Sequence, residues 1–228
     1  MDTTKTPIQQ MLDKTIWARA LNASELVRVE TAISLRTVTA GGFVCRKGEP
    51  VDYWIGVDEG LLKMSSVSPE GKTVTFTGLM SGGWFGEGSL MKAELRKYDV
   101  VALRDSQIGL LPRTDFEWLM DNSIPFNHFL LQQLNERLAL FISVVEYDRM
   151  LEPDARVASC LAALFNPYLN PASRHQLQIS QEEIGYLCGT SRQRANQALQ
   201  LLEKSGLLKL DYGGITILDL EGLRHFLR

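Results

Sequence analysis

Cysteine and histidine are scarce in this 228-residue chain, three of each, and neither is clustered. Cys45, Cys160 and Cys188 are odd in number, far apart and never in a CxxC pair. That argues against a zinc knuckle, a clustered iron–sulfur site and a disulfide framework, and the three read as reduced thiols of a cytoplasmic protein. His128, His175 and His225 are equally scattered, so no metal or haem is expected. Long apolar runs are missing too: nothing approaches the ~18 residues a membrane span needs, and no membrane partner is expected. Met1 to Gln10 is polar, without the apolar core of a signal peptide. The chain also has no excess of positive charge. With 24 Lys+Arg against 27 Asp+Glu the net charge is −3, and the pI is about 5.7. A protein that coats nucleic acid with its whole surface is thereby excluded, whereas one with a single reading face is not. Residues 151–228 hold eight basic and eight acidic residues, so their net charge is zero. Neither a nucleophile elbow nor a GxxxxGK loop is present, and Glu87 is the one carboxylate in a Gly-rich turn, so no enzyme is expected.

What is present is ordinary globular composition, 45% hydrophobic and 22% charged, at a length that suits one large or two modest domains. After a polar start, residues 22–33 read as a helix capped by Asn22 or Ser24, with Leu26, Val29 and Ile33 on its apolar face. From Leu35 to Leu111 the period changes. Short β-rich segments (37–39, 53–57, 61–65, 73–78, 100–103 and 107–111) alternate with Gly/Pro turns, which indicates a compact antiparallel barrel or sandwich. Pro69-Glu70-Gly71 is a hairpin turn, since Pro presets φ and Gly accepts a positive one. A short helix is expected over 114–121 and a long one from Pro125 to Met150. On the long helix Leu131, Leu134, Leu138, Phe141 and Val145 repeat at 3,4 spacing, the seam of a coiled coil. Leu130, Leu140, Ile142 and Val144 make other faces apolar as well. Two readings stay open: a helix that meets a second subunit on one face and the β-domain on another, or the core helix of a monomer. Pro153 disfavours helical geometry at Glu152, and Leu151–Pro153 is the best domain boundary. Another helix is expected over 154–165.

The most specific stretch runs from Leu177 to Leu218. A short strand at Gln178-Ile179 leads into Ser180-Gln-Glu-Glu183, a capping box, and a helix to Cys188 that ends at Gly189. Thr190-Ser-Arg-Gln193 reads as a second capping box, opening a longer helix that ends at Gly206. A hairpin follows around Asp211-Tyr-Gly-Gly214, completing a winged helix-turn-helix. At 100° per residue Ala195, Ala198, Leu199 and Leu202 share one face of the second helix. Gln193, Asn196, Gln197 and Gln200 share the opposite face, flanked by Arg192 and Arg194. Solvated helix faces are usually built from Glu and Lys. Amide and guanidinium groups are the ones that pair bidentately with base edges in the major groove. Ser191, Arg192, Gln193, Arg194, Asn196, Gln197 and Gln200 are therefore the candidate DNA-contacting residues, with Arg194 suited to a phosphate.

This organisation resembles the Crp–Fnr family of bacterial transcription regulators, the cyclic-AMP receptor protein and fumarate–nitrate regulator group. The resemblance runs from about Leu21 to Leu218. It rests on Ile179-Ser-Gln-Glu-Glu-Ile-Gly185, Gly189-Thr-Ser-Arg-Gln193, Arg156-Val-Ala158 and Gly86-Glu87 after Trp84-Phe85. It implies an α+β chain: an N-terminal double-stranded antiparallel β-roll of the cyclic-nucleotide-binding type (1–122), a long dimerisation helix (123–151), and a C-terminal winged helix-turn-helix DNA-binding domain (152–228). It also implies a homodimer on a pseudo-palindromic operator in double-stranded DNA, with RNA polymerase as a further partner. The dimer-interface candidates are Leu131, Leu134, Leu138, Phe141 and Val145. Gly86, Glu87, Arg96, Lys97, Tyr98, Phe141 and Ile142 are the effector-pocket candidates. The cyclic-AMP contacts do not carry over. Where the family has an Arg-Ser pair for the cyclic phosphate this chain reads Lys97-Tyr98, with Arg96 adjacent, and where it has hydroxyls for the adenine this chain reads Phe141-Ile142. Cyclic AMP is thus not the expected effector. The apolar residues suit either an apolar ligand or a pocket filled by its own side chains. On the reading helix Arg192 and Gln193 match the family pair, while Gln197 replaces the family's Arg and changes the expected target. The rival readings are a cyclic-nucleotide-responsive regulator, and a small-molecule-binding β-barrel whose C-terminal module contacts protein.

Overall fold

The computed structural model describes residues 5–226 apart from 72, 151, 173 and 174, and over 146–150 the backbone alone. Leu151, placed at the domain boundary by the sequence, lies outside the described residues.

Three helices precede the β-region. The first two, α1 (Pro7–Asp13) and α2 (Ile16–Arg19), fall where the sequence reads only as a polar start. At seven and four residues they are too short to show a period. Thr6 accepts from the Gln9 amide and Gln9 reaches back, a full capping box, with Pro7 at the first turn. Their buried residues are Met11, Leu12, Trp17 and Ala18. In α3 (Ala23–Ala32) Asn22 and Glu25 form the cap.

The β-region is two four-stranded antiparallel sheets. The strands are β1 (Ser34–Val38), β2 (Phe43–Cys45), β3 (Tyr53–Glu59), β4 (Leu61–Val67), β5 (Thr73–Met80) and β6 (Trp84–Phe85), then, after the short helix α4 (Glu87–Met91), β7 (Asp99–Ala102) and β8 (Ser106–Pro112). Their orders are β1-β8-β3-β6 and β2-β7-β4-β5. Val57, Leu62, Met64, Leu79, Phe85, Val100 and Ile108, drawn from both sheets, make one core. The Pro69–Gly71 turn closes the β4–β5 hairpin with Val67 opposite Thr73, and Gly71 takes φ 81°.

After α5 (Arg113–Asn122) the chain breaks at buried Ser123, whose carbonyl accepts from the Asn127 amide. The long helix α6 (Ile124–Met150) then begins, with Pro125 in its first turn. Its start completes a second core in which Trp17, Trp54, Trp84, Phe116, Phe126 and Phe129 pack together. The Trp54 and Trp84 ring centroids are 4.5 Å apart, and such aromatic pairs add about 0.5–1.5 kcal/mol beyond buried area.

Glu152 is extended and caps α7 (Pro153–Ala163), with Pro153 at its first position. Beyond come β9 (Gln176–Gln178), α8 (Gln181–Cys188), α9 (Arg192–Lys204), the hairpin β10 (Leu208–Asp211) and β11 (Gly214–Ile217), and α10 (Leu220–Arg224). The hairpin adds to β9 in a three-stranded sheet of order β10-β11-β9. Every strand pairing in the three sheets is antiparallel. The core of this C-terminal unit also takes in Leu61 and Met80 of the β-roll. At the same junction Asn170 accepts from the Met80 amide at 2.9 Å, Arg104 pairs with Glu183 at 2.7 Å, and Thr75 donates to the Tyr186 carbonyl. Among the described residues no helix is long and apolar enough to cross a membrane.

Candidate functional site

Helix α8 ends where Gly189 takes a left-handed conformation, φ 63°, which frees the chain to turn into α9. The cap of α9 is Ser191, whose hydroxyl accepts from the Arg194 amide at 3.2 Å. The capping box expected at Thr190–Gln193 is corrected by one residue. Ser191 has the extended geometry of a cap, and its partner three positions on is an arginine that cannot accept the reciprocal bond. Ala195, Ala198, Leu199 and Leu202 are buried in the core shared with α7 and α8. Ser191, Arg192, Gln193, Gln197 and Gln200 stand exposed on the other side.

Two members of the face are half-buried and already engaged. Asn196 accepts from the Gln181 amide group at 2.8 Å, which ties α9 to the start of α8. Arg194 donates to Gln197 at 3.3 Å and lies 3.1 Å from the Asp154 carboxylate of α7. Arg192, the first turn of α8 (Ser180, Glu182) and the hairpin tip (Asp211, Gly213) frame one groove of about 350 Å³. At that tip Tyr212 is fully exposed, a residue that the sequence marks only as part of a turn.

The candidate effector residues sit at the cap and start of α4, on the segment after it, and on α6. Gly86 takes φ 98°, and a Cβ there would lie 2.3 Å from Nη1 of Arg96, so only glycine admits the guanidinium. Arg96 is 4% exposed. Its Nη2 donates to the Tyr53 carbonyl at 2.9 Å, while Nε and Nη1 are buried with no hydrogen-bond partner. Lys97 points outward to Glu94 at 2.9 Å. Of the two adjacent cations, Arg96 is the one inside. Ala93, in the turn between α4 and Arg96, adopts a left-handed φ of 52°. Tyr98 packs against the roll core; burial, and next the nearby Glu87 charge, push its phenol well above the usual tyrosine range.

Glu87 is buried and receives Nε of Arg137 at 2.5 Å and the Trp54 indole N–H at 3.4 Å. Arg137 also donates to the Trp84 carbonyl. The sequence reading missed Arg137 because beside Glu136 it reads as an ordinary polar position between the apolar residues of α6. Phe141 meets Phe76 of β5 edge-on at 6.1 Å. Ile142 is 60% exposed, in line with exposed Leu131, Leu138 and Val145, whereas Leu134 is half-buried. Phe141, a candidate for both the effector pocket and the seam, faces the roll, and Ile142, an effector-pocket candidate, lies exposed in line with the seam. The physical reason is rotation, since adjacent helical residues point 100° apart.

The cyclic nucleotide-binding domain family matches residues 35–123, and the Crp-like helix-turn-helix domain family matches residues 155–226. The chain belongs to the Crp–Fnr family. Like other Crp–Fnr proteins it is thus a DNA-binding transcription regulator, with a cyclic-nucleotide-binding-like roll ahead of its helix-turn-helix. It is 29% identical over 178 residues to the transcriptional regulator SdrP of Thermus thermophilus, covering 77% of this chain and 84% of that one. It is 28% identical over 181 residues to the cyclic AMP receptor protein of the same organism, covering 75% and 81%. The structure of FixK2 from Bradyrhizobium japonicum superimposes with a TM-score of 0.70 at 16% identity, covering 86% of this chain and 98% of that one, a likeness of fold.

Proposed function

We propose that this Crp–Fnr protein acts in the cytoplasm as a homodimer on a pseudo-palindromic operator. The exposed stripe Leu131, Leu138, Ile142 and Val145 of α6 pairs with its copy, and Leu134 borders it. Two α9 helices then enter successive major grooves roughly 34 Å apart. The observation that carries the reading is the division of α9: Ala195, Ala198, Leu199 and Leu202 are buried, and the opposite exposed side is amide and guanidinium. Arg192 and Gln193 read base edges, with Asn196, Gln197 and Gln200 following along the groove and Ser191 at the rim. RNA polymerase is the partner that a regulator bound beside a promoter would meet.

An effector in the roll would be an anion with an apolar body. The unpaired Nε and Nη1 of Arg96 beside Gly86 ask for an acceptor, and Phe76 and Phe141, which meet edge-on, supply apolar surface. A cyclic nucleotide, the ligand this domain family implies, finds its phosphate partner in Arg96. It does not find the rest, because Glu87 is committed to Arg137 and Trp54, and Phe141 offers a base nothing polar. This protein therefore takes a different anion.

Footprinting tests the interface. Arg192→Ala is expected to lower operator affinity by about 1–3 kcal/mol and to relax the preference at one base pair in each half-site. Unchanged sequence-specific binding would remove α9 as the reader. A wild-type protein that retains no duplex even at low salt would favour a β-roll whose C-terminal module docks on protein.

A further inference from the structure

Arg194 occupies the third position of α9, beside Arg192 and Gln193, in the turn that a helix-turn-helix presents to DNA. A guanidinium there would ordinarily meet a backbone phosphate. In this protein it is met from behind. Asp154, the second residue of α7, places Oδ1 3.1 Å from Nη2 of Arg194, and Nη1 is turned to Gln197 at 3.3 Å. The Asp154 oxygen is buried and accepts no hydrogen bond, so the Arg194 charge is its compensation. Asp154 is half-buried, its side chain 21% exposed, so withdrawing Arg194 toward DNA would leave a partly desolvated carboxylate without its cation at the start of α7. Both residues sit on helices that share the C-terminal core, Val157, Ala158 and Leu161 of α7 with Ala195, Ala198 and Leu202 of α9, so the packing of that core sets their spacing.

We propose that Asp154 is a positioning residue that holds Arg194 off the DNA backbone and thereby lowers sequence-independent affinity. The proposal rests on α9 being the reading helix. Phosphate contacts raise affinity for every sequence alike and carry no base information. Neutralising one cation at the groove entrance therefore leaves a larger share of binding to base contacts by Arg192 and Gln193. It also sets a limit on the effect: one ion pair in each subunit, thus one phosphate in each half-site.

The experiment is the salt dependence of binding, by fluorescence anisotropy, to the selected operator and to random duplex. Wild type, Asp154→Asn, Arg194→Gln and the double variant are compared. Asp154→Asn is expected to tighten binding to both duplexes severalfold at low salt. It should also steepen the log–log salt slope by about 0.9 for each subunit. Arg194→Gln alone is expected to leave the wild-type slope unchanged, because that guanidinium touches no phosphate, and in the double variant the gain from Asp154→Asn should vanish. A slope made shallower by about one unit per subunit in Arg194→Gln would overturn the proposal, as would an unchanged slope in Asp154→Asn. The Arg194→Gln arm decides the question even if Asp154→Asn folds poorly. Failure of wild type to bind any duplex would instead strike the DNA-binding reading itself.

Discussion

Two arginines enter the β-roll, and their charges are met differently. Arg137 is matched by buried Glu87 and by the Trp84 carbonyl, so it is a closed structural pair. Arg96 has one carbonyl partner and two unpaired nitrogens. A buried donor without an acceptor costs about 1–3 kcal/mol, and an acceptor such as a bound anion would relieve that cost. Arg96→Leu is accordingly expected to raise stability by about 1–3 kcal/mol in denaturant unfolding. Inorganic phosphate should raise the unfolding midpoint of wild type and leave that of the variant unmoved. A lower midpoint for the variant would mean that its contact to Tyr53 outweighs the unpaired groups. The sequence displays Arg96 only as a neighbour of Lys97. Which of two adjacent cations turns inward is set by the path of the loop after α4, which no pattern of residue types announces.

At the scale of elements, α6 carries two jobs on two faces. Phe126, Phe129 and Leu130 are buried in the aromatic core, and Gln133 and Arg137 reach the Trp84 carbonyl. Leu131, Leu138, Ile142 and Val145 stay exposed at helical spacing, a stripe that the described residues leave uncovered. Leu138→Lys is expected to yield monomers in light scattering at micromolar concentration and to reduce operator binding to the level of a single half-site. Loss of one buried leucine from each side of such a seam removes about 2–5 kcal/mol per site. A dimer that persists would place the subunit contact elsewhere. The 3,4 repeat was legible in the sequence as far as it concerned spacing, but the division of Phe141 from Ile142 was not. A helix that is apolar all round does not show which apolar side meets its own domain. The capped helices α8 and α9 were the most legible elements, because Ser180, Glu183 and Gly189 act within one turn of themselves. Even there the cap of α9 moved from Thr190 to Ser191.

At the scale of the whole molecule, the C-terminal unit does not hang free from the roll. Leu61 and Met80 are part of its core, and Gly78 on β5 lies against Leu164 and Leu187: a Cβ there would come within 2.6 Å of Leu164 Cδ2. Strand β5 touches both ends of the protein's business, with Phe76 on Phe141 of α6 and Thr75 on the Tyr186 carbonyl of α8. Calorimetry is expected to show one cooperative transition for wild type. Gly78→Val overfills the junction at a cost of about 1–3 kcal/mol and should split the transition in two. Two transitions already present in wild type would mean that the junction is too weak to couple the parts. None of these contacts was legible in the sequence, where Gly78 is merely the end of a strand.

The sequence by itself determined the kinds of element and their order. Strands with Gly/Pro turns, a long helix, two capped helices and a hairpin each follow from short-range chemistry: φ at Gly and Pro, caps at helix starts, and the period of apolar residues. It also determined the composition of the α9 face, Arg192 to Gln200, because helical geometry alone sorts those side chains. Tertiary structure decided which charges are met by the protein's own groups. Glu87 goes to Arg137, Arg194 to Asp154, and Arg96 to the roll interior with two donors unpaired. These pairings join residues 50 and 40 positions apart, or hang on the path of one loop. Electrostatic partnership depends on distance in space, and only the packed fold sets that distance.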